Sequence, residues 1–176
     1  MNDIDIRLAT QSDIPAVSAI YERIHDAEES GQNEIGWIRG VYPTRATAET
    51  ALSAGDLFVL TVDGEVAAAA RVNREQVDVY ADCPWAYEAA DDRVMVLHTL
   101  VVDPNRGGLG LGKRFVAFYE NYARAHGCDT LRMDTNARNL RARGMYGHLG
   151  YREAGIVPCV FNGIPDVRLV CLEKRL

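Results

Sequence analysis

No apolar run in the 176-residue chain approaches the roughly 20 residues that a membrane span needs. The opening, "MNDIDIRLAT", is polar and acidic and lacks the basic start and apolar centre of a secretory leader. Cysteine is scarce: Cys83, Cys128, Cys159 and Cys171 are scattered, with no CxxC pair. That usage argues against a disulfide framework or a metal site and fits reduced thiols in a cytoplasmic protein. The four histidines form no ligand cluster either, so no metal is expected. Positive charge is also short. The formal net charge is -6 and no basic stripe with interleaved aromatics is present, which argues against a nucleic-acid partner. Repeats, low-complexity tracts and linkers are missing too. What remains is an ordinary globular balance, 48% hydrophobic, that suits one domain over residues 1–176 with a single core.

Local patterns give an order of elements. "IDIRLA" alternates like a strand. Thr10 reads as a helix N-cap, with Asp13 three residues on and Pro15 in the first turn, and that helix runs to Gly31. A polar and aromatic loop, "GQNEIGWIRGVYP", leads to a second helix opened by Thr44 and ended at Gly55. "LFVLTV-DG-EVAAAARV" reads as a hairpin with a type I′ turn at Asp63-Gly64. "NREQVDVYADCPWAYEAADD" reads as part strand, part loop. "RVMVLHTLVV" is apolar on both faces, as a central strand must be. A glycine loop follows, then a helix from about Lys113 to His126. "DTLRMDT" is a strand, "ARNLRARGMYGHLG" a helix closed by Gly150, and "VRLVCLEKRL" a last strand expected to pair with "YREAGIV". The order β-α-α-β-β-β-α-β-α-β-β mixes hairpins with crossovers. It implies an α/β (α+β) chain with a mixed central sheet of about seven strands flanked by helices.

The densest signal is "PNRGGLGLGKRF", where Gly107, Gly108, Gly110 and Gly112 lie between the central strand and a helix. Three anion-binding designs can be compared. An ATP-binding loop fits Gly107, Gly112 and Lys113, but Arg114 stands where a hydroxyl must hold magnesium. A guanidinium cannot ligate a cation, so a phosphate-loop NTPase fails on mechanism. The dinucleotide fingerprint GxGxxG fails on spacing. The third design wraps successive backbone N–H groups round a pyrophosphate at a helix N-terminus and needs no metal. The plain alternative is a glycine-rich turn that only packs strand on helix.

A second motif decides between them. In "NLRARGMYGHLGY", Asn139, Ala142 and Tyr146 share one helix face, and Gly150 and Tyr151 follow. Together the two motifs resemble the signatures of the GNAT superfamily of acyl-CoA-dependent N-acyltransferases. The first signature is Pro-x-x-Arg/Gln-Gly-x-Gly-x-Gly/Ala, matched by Pro104, Gly108, Gly110 and Gly112. Gly107 occupies the Arg/Gln position, with Arg106 one place early. The second is Asn-x-x-Ala-x-x-x-Tyr-x-x-x-Gly-Phe/Tyr, matched through Tyr151. The motifs cover about Val94 to Tyr151, and the element order agrees along the chain.

The resemblance implies a GNAT fold, acetyl-CoA as co-substrate, and roles for particular residues. The family's central strand carries a bulge, splays from its neighbour and pairs with the pantetheine arm. Here those backbone groups belong to Leu100, Val101 and Val102. Gly108, Leu109, Gly110, Leu111, Gly112 and Lys113 would hold the pyrophosphate, and Asn139 would hydrogen-bond the pantetheine. Tyr146 would contact the coenzyme and protonate the leaving thiolate. Its alternative is a core tyrosine on an apolar stripe with Ala142, Met145 and Leu149.

Acyl transfer to an amine also needs a base, because an amine with a pKa of about 10 must shed a proton before it attacks. Family members that acetylate ribosomal-protein N-termini carry a glutamate where this chain has Asp134. The alternative for Asp134 is a strand-end residue capping the next helix. The histone-acetylating branch has a glutamate where this chain has Val96. His98 lies two residues on, on the same face, and suits proton transfer; its plainer reading is a hydrogen-bonded histidine inside the sheet. No cysteine occupies a nucleophile position, so the acceptor is expected to attack directly. The acceptor, a small-molecule or peptide amine, is expected opposite the coenzyme, near Glu34, Trp37, Arg39, Tyr42, Tyr80, Trp85 and Tyr87. Arg39 could pair with a substrate carboxylate or be a solvated arginine, and the aromatics could equally cap the core or pack a homodimer. A non-catalytic acyl-CoA-binding regulatory module on the same fold is the rival reading.

Overall fold

The computed structural model describes residues 2–176. The chain begins with β1 (Ile4–Leu8), α1 (Ile14–Glu29) and α2 (Arg45–Ser53), followed by the hairpin β2 (Leu57–Val62) and β3 (Glu65–Asn73). The second half holds β4 (Val94–Val102), α3 (Leu111–Ala125), β5 (Thr130–Asn136), α4 (Leu140–His148) and the hairpin β6 (Arg152–Phe161) and β7 (Ile164–Arg175). This is the expected element order. The seven strands form one mixed sheet in the order β1-β2-β3-β4-β5-β7-β6. Only β4 and β5 run parallel. α3 is the crossover between them, as a parallel pair requires.

The first two helices start where capping and burial agree. The Asp13 carboxylate accepts the Thr10 N–H at 2.7 Å and pairs with Arg7 at 2.8 Å. The Arg7 hydrogen bond holds the Asp13 carboxyl down at about 2. α1 and α2 pack Ile14, Val17, Ile20 and Ala48 on Leu57, Val59, Ala69 and Val101 of one sheet face. α3 packs Phe115, Val116 and Tyr119 on the other face, against Leu60, Met95, Leu97 and Leu131. Asp63 and Gly64 have φ of 52° and 82°, which a type I′ turn requires.

Two sequence expectations are corrected. Residues 74–93 contain no strand. They form short 3-10 turns (Asp78–Asp82 and Asp91–Arg93) in an irregular strap over β5 and β7. Glu173, fully buried, accepts the Ala86 and Tyr87 N–H groups, and Arg132 lies 4.3 Å from the Trp85 ring centre. Side chains from distant strands thus do the work that a ladder would have done. The other correction is the helix after the glycine loop, which starts at Leu111, two residues earlier than expected.

The feature that makes a site is the far end of β4. It pairs with β5 only from Val94 to Leu97, and the two strands then part. On the β3 side, Ala69 pairs with Val101 and Arg71 with His98, so Thr99 and Leu100 bulge opposite Ala70. Thr99 adopts φ 53°, costly for a β-branched residue. The bulge turns β4 away from β5 and leaves its open-side backbone groups without a strand partner.

Candidate active site

The splay opens into a cleft of about 910 Å³. One wall is the end of β4, Thr99 to Val102, with the loop that follows and the start of α3. Gly108 and Gly110 have φ of 82° and 68°, in the left-handed region where only glycine is unstrained. A Cβ at either would meet nothing within 4 Å, so both backbones face open space. Gly110 is the N-cap of α3 and supplies no side chain to the helix's first N–H groups. Gly112 serves a different end: a Cβ there would lie 3.2 Å from the Met145 sulfur, so the glycine lets α3 and α4 close together. The loop is held from outside. Arg23 grips Asp103 through two bonds of 2.9 Å, and Asp103 caps Asn105 at 3.0 Å. Arg106 pairs with Glu65.

The cleft is positive on this side. Lys113, Arg138 and Arg141 line it and Arg114 stands beside it. Among the described residues none of these four meets a carboxylate at salt-bridge distance. Four cations without a carboxylate partner, at the starts of α3 and α4, in a chain of net charge -6, fit a polyanion. Lys113 and Arg114 were legible beside the glycines. Arg138 and Arg141 join them only because α4 starts at the same cleft. Asn139 is the N-cap of α4, its Oδ1 accepting the Ala142 N–H at 3.1 Å. Its amide NH2 is left for the cleft it lines.

Asp134 and Tyr146 both line the cleft. They come from opposite sheet faces. Tyr146, 6% exposed, belongs to the core under α3, whereas Asp134 points to the face that carries Tyr80 and Cys171. Burial pushes the Asp134 carboxyl up to about 6, although the Tyr80 hydroxyl donates to it at 2.7 Å. It does not cap α4; Asn139 does. Burial, reinforced by the Asp134 charge, raises the Tyr146 phenol far above its ordinary range. Its hydroxyl makes no hydrogen bond among the described residues, although the ring packs edge-on against Tyr151 at 5.9 Å.

The other candidates separate. His98 is held at 2.8 Å from Asn73 Oδ1, and burial and then Arg71 depress it to about 4. It is a neutral residue of the β3–β4 ladder and does not line the cleft. Glu34, Trp37 and Tyr42 do line it. Arg39 does not: it is bound to Glu22, Asp26 and Glu29 along α1. Trp85 and Tyr87 belong to the strap, the Trp85 indole donating to the Tyr80 carbonyl at 2.8 Å. Two groups had no signal in sequence. Thr99 bonds the Tyr42 hydroxyl at the bulge. Glu28 accepts the Ile35 and Gly36 N–H groups at 2.8 and 2.7 Å and so fixes the loop over the cleft.

A wedge between parallel strands, a glycine loop and this order of elements define a class of protein, and the comparisons agree. The Acetyltransferase (GNAT) family matches residues 19–151, and the chain belongs to that family. Among solved structures it is similar to a GNAT-family acetyltransferase from Streptococcus agalactiae. The two share 23% identity over 98% of this chain and 95% of that one, with a TM-score of 0.81. A ribosomal-protein-alanine N-acetyltransferase from Brucella melitensis has 21% identity over 98% and 99% of the two chains, with a TM-score of 0.71. A ribosomal-protein-S18-alanine N-acetyltransferase from Escherichia coli has 20% identity over 98% and 94%, with a TM-score of 0.66. No curated protein matches the chain in sequence. Among the described residues no helix is long and apolar enough to cross a membrane, and no cluster of side chains could hold a metal ion.

Proposed function

We propose that the protein is a single-domain N-acetyltransferase, residues 1–176, that moves an acetyl group from acetyl-CoA directly to a primary amine. The observation that carries this is one cleft with a glycine-lined, cationic wall on one side and Asp134 and Tyr146 at its centre. The glycine wall suits coenzyme A: a pyrophosphate needs backbone N–H groups without side chains in the way, and Gly108 to Lys113 supply them. The open edge of β4 at Leu100, Val101 and Val102 would receive the pantetheine amides as an added strand would. The Asn139 amide would donate to the same arm. Acetyl-CoA supplies the activated acyl group. The proton transfers fall to side chains.

Asp134 is the base. With its carboxyl at about 6 it is ionised at neutral pH yet close enough to it to take a proton efficiently. Tyr146 is the acid, kept protonated by burial until it is needed. As the amine nitrogen bonds to the acyl carbon, the C–S bond breaks. The proton leaving nitrogen goes to Asp134, and the sulfur takes its proton from Tyr146. The two groups are coupled: neutralising Asp134 removes the charge that holds the phenol's proton on, so the first transfer eases the second. His98, neutral and bonded away from the cleft, takes no part.

A regulatory module that only binds acyl-CoA would have no use for a raised carboxyl and an unbonded phenol in the same cleft. The four unpaired cysteines, three of them buried, suit the reducing cytoplasm. Release of free thiol from acetyl-CoA on adding an amine panel tests the assignment. Thermal stabilisation by coenzyme A without release from any amine would favour the binding module instead.

A further inference from the structure

The two walls of the cleft differ in chemistry, and the second wall has so far been given no ligand. Opposite the cationic wall stand Trp37, Tyr42, Phe161, Ile164, Val167 and Leu169. Ile164, Val167 and Leu169 are buried, and the three rings pack against them in one apolar cluster. Trp37 and Tyr42 meet edge to face with centres 5.8 Å apart. These residues come from the α1–α2 loop and from the β6–β7 hairpin. They converge on the side where Asp134 points.

We propose that the acceptor is a hydrophobic monoamine, with its nitrogen carried on a ring-sized apolar group that this wall binds. The proposal rests on the acetyl transfer argued above and names the class of amine. The apolar lining carries it, because the rival classes need polar partners that this wall supplies poorly. A polyamine needs a second carboxylate one spacer away from the first. Glu34 is exposed at the rim, and the Glu28 carboxylate already accepts two backbone N–H groups. An amino acid needs a cation for its carboxylate, but the loop's own cation, Arg39, is turned onto three carboxylates of α1. Arg138 and Arg168 share a neighbouring pocket with Trp37, Ile164 and Val167, so glutamate is the sharpest rival the test includes. A peptide brings a polar amide with every residue, which apolar side chains cannot pair. An aryl or branched alkyl group has none of these needs, and aromatic rings receive another ring edge-on or offset. The apolar surroundings also disfavour the ammonium form, so the wall helps the nitrogen give up its proton to Asp134.

The test uses the full chain with acetyl-CoA and measures thiol release as kcat/KM. The amines are phenethylamine, ethylamine, spermidine, glutamate and a short peptide beginning with alanine. Phenethylamine should lead, with ethylamine lower by at least about tenfold, because ethylamine keeps the reacting nitrogen and loses the ring. Phe161→Asp, which puts a charge on the wall, should lower kcat/KM for phenethylamine by about tenfold or more. If that variant does not fold, Trp37→Ala should show the same direction. Preference for spermidine, glutamate or the peptide overturns this inference and leaves acetyl transfer standing. Ethylamine equal to phenethylamine, or wall variants without effect on it, also overturns it. Release from none of the amines, with coenzyme A still raising Tm, overturns both this inference and the acetyl transfer beneath it.

Discussion

The two walls of one cleft are built on opposite plans. The proposed coenzyme wall is mostly one stretch of chain, from Thr99 to Lys113, joined by the start of α4, and it would act largely through backbone groups that its glycines expose. The proposed acceptor wall gathers Trp37, Tyr42, Asp134, Phe161 and Val167 from three separate parts of the sequence, and it would act through side chains. Supports differ in the same way. Arg23 and Asp103 brace the loop from outside, whereas Tyr80 reaches from the strap to touch Asp134 itself. A ligand common to a family can be held by backbone geometry that tolerates change elsewhere. A particular acceptor must be matched by side chains, and those are free to come from anywhere.

The largest effect should appear on the chemical side. Asp134→Asn should lower turnover by roughly 10²- to 10⁴-fold, the range for losing a general base. The wild-type pH profile of kcat/KM should rise through about pH 6, where the carboxyl ionises, and the variant should lack that limb. Next comes the coenzyme wall. Gly110→Val forces φ 68° on a branched residue, costing about 1–3 kcal/mol, and puts a side chain where the pyrophosphate would approach. The rise in Tm caused by coenzyme A, expected without added metal, should vanish. If it survives, the backbone plan for that wall is wrong.

Smaller effects sharpen the acceptor wall. Burial raises the Asp134 carboxyl in the folded state from an ordinary 3.8, so the folded protein binds its proton more tightly than the unfolded chain does. Its ionised form therefore costs stability above about pH 6, and the cost fades as pH falls towards 4. Asp134→Asn should accordingly be more stable than the wild type at pH 8, by about 1–3 kcal/mol, with the gap closing in acid. Equal stability at both pH values would argue that the carboxylate is well solvated. Tyr80→Phe removes a donor that lowers the Asp134 carboxyl. The acid limb should move to higher pH while the plateau kcat changes little.

How much of this the sequence carried follows from the same contrast. The central strand, the glycine loop and the α4 motif were legible because each is local: periodicity, φ-demanding glycines and i, i+3, i+7 spacing lie within a few residues. The strap at 74–93 was not, because Glu173 and Arg132, far along the chain, fix it in place of a ladder. Arg39 looked free in sequence, but α1 presents Glu22, Asp26 and Glu29 to it at helical spacing. Thr99 gave no sign of its positive φ, since a bulge is set by the register of β3 against β4. Phe161 and Val167 read as plain hairpin residues and reach the cleft only through the order β5-β7-β6.

The most direct test of the central claim is kcat for Tyr146→Phe, per folded molecule, beside its affinity for coenzyme A. The substitution keeps the ring that packs on Tyr151 and removes only the hydroxyl, which makes no hydrogen bond among the described residues. If that hydroxyl protonates the leaving sulfur, kcat falls by roughly 10²-fold or more. Coenzyme affinity changes by no more than about 1 kcal/mol, and Tm holds. A variant that melts early and keeps its full rate would contradict the claim and make Tyr146 a packing residue.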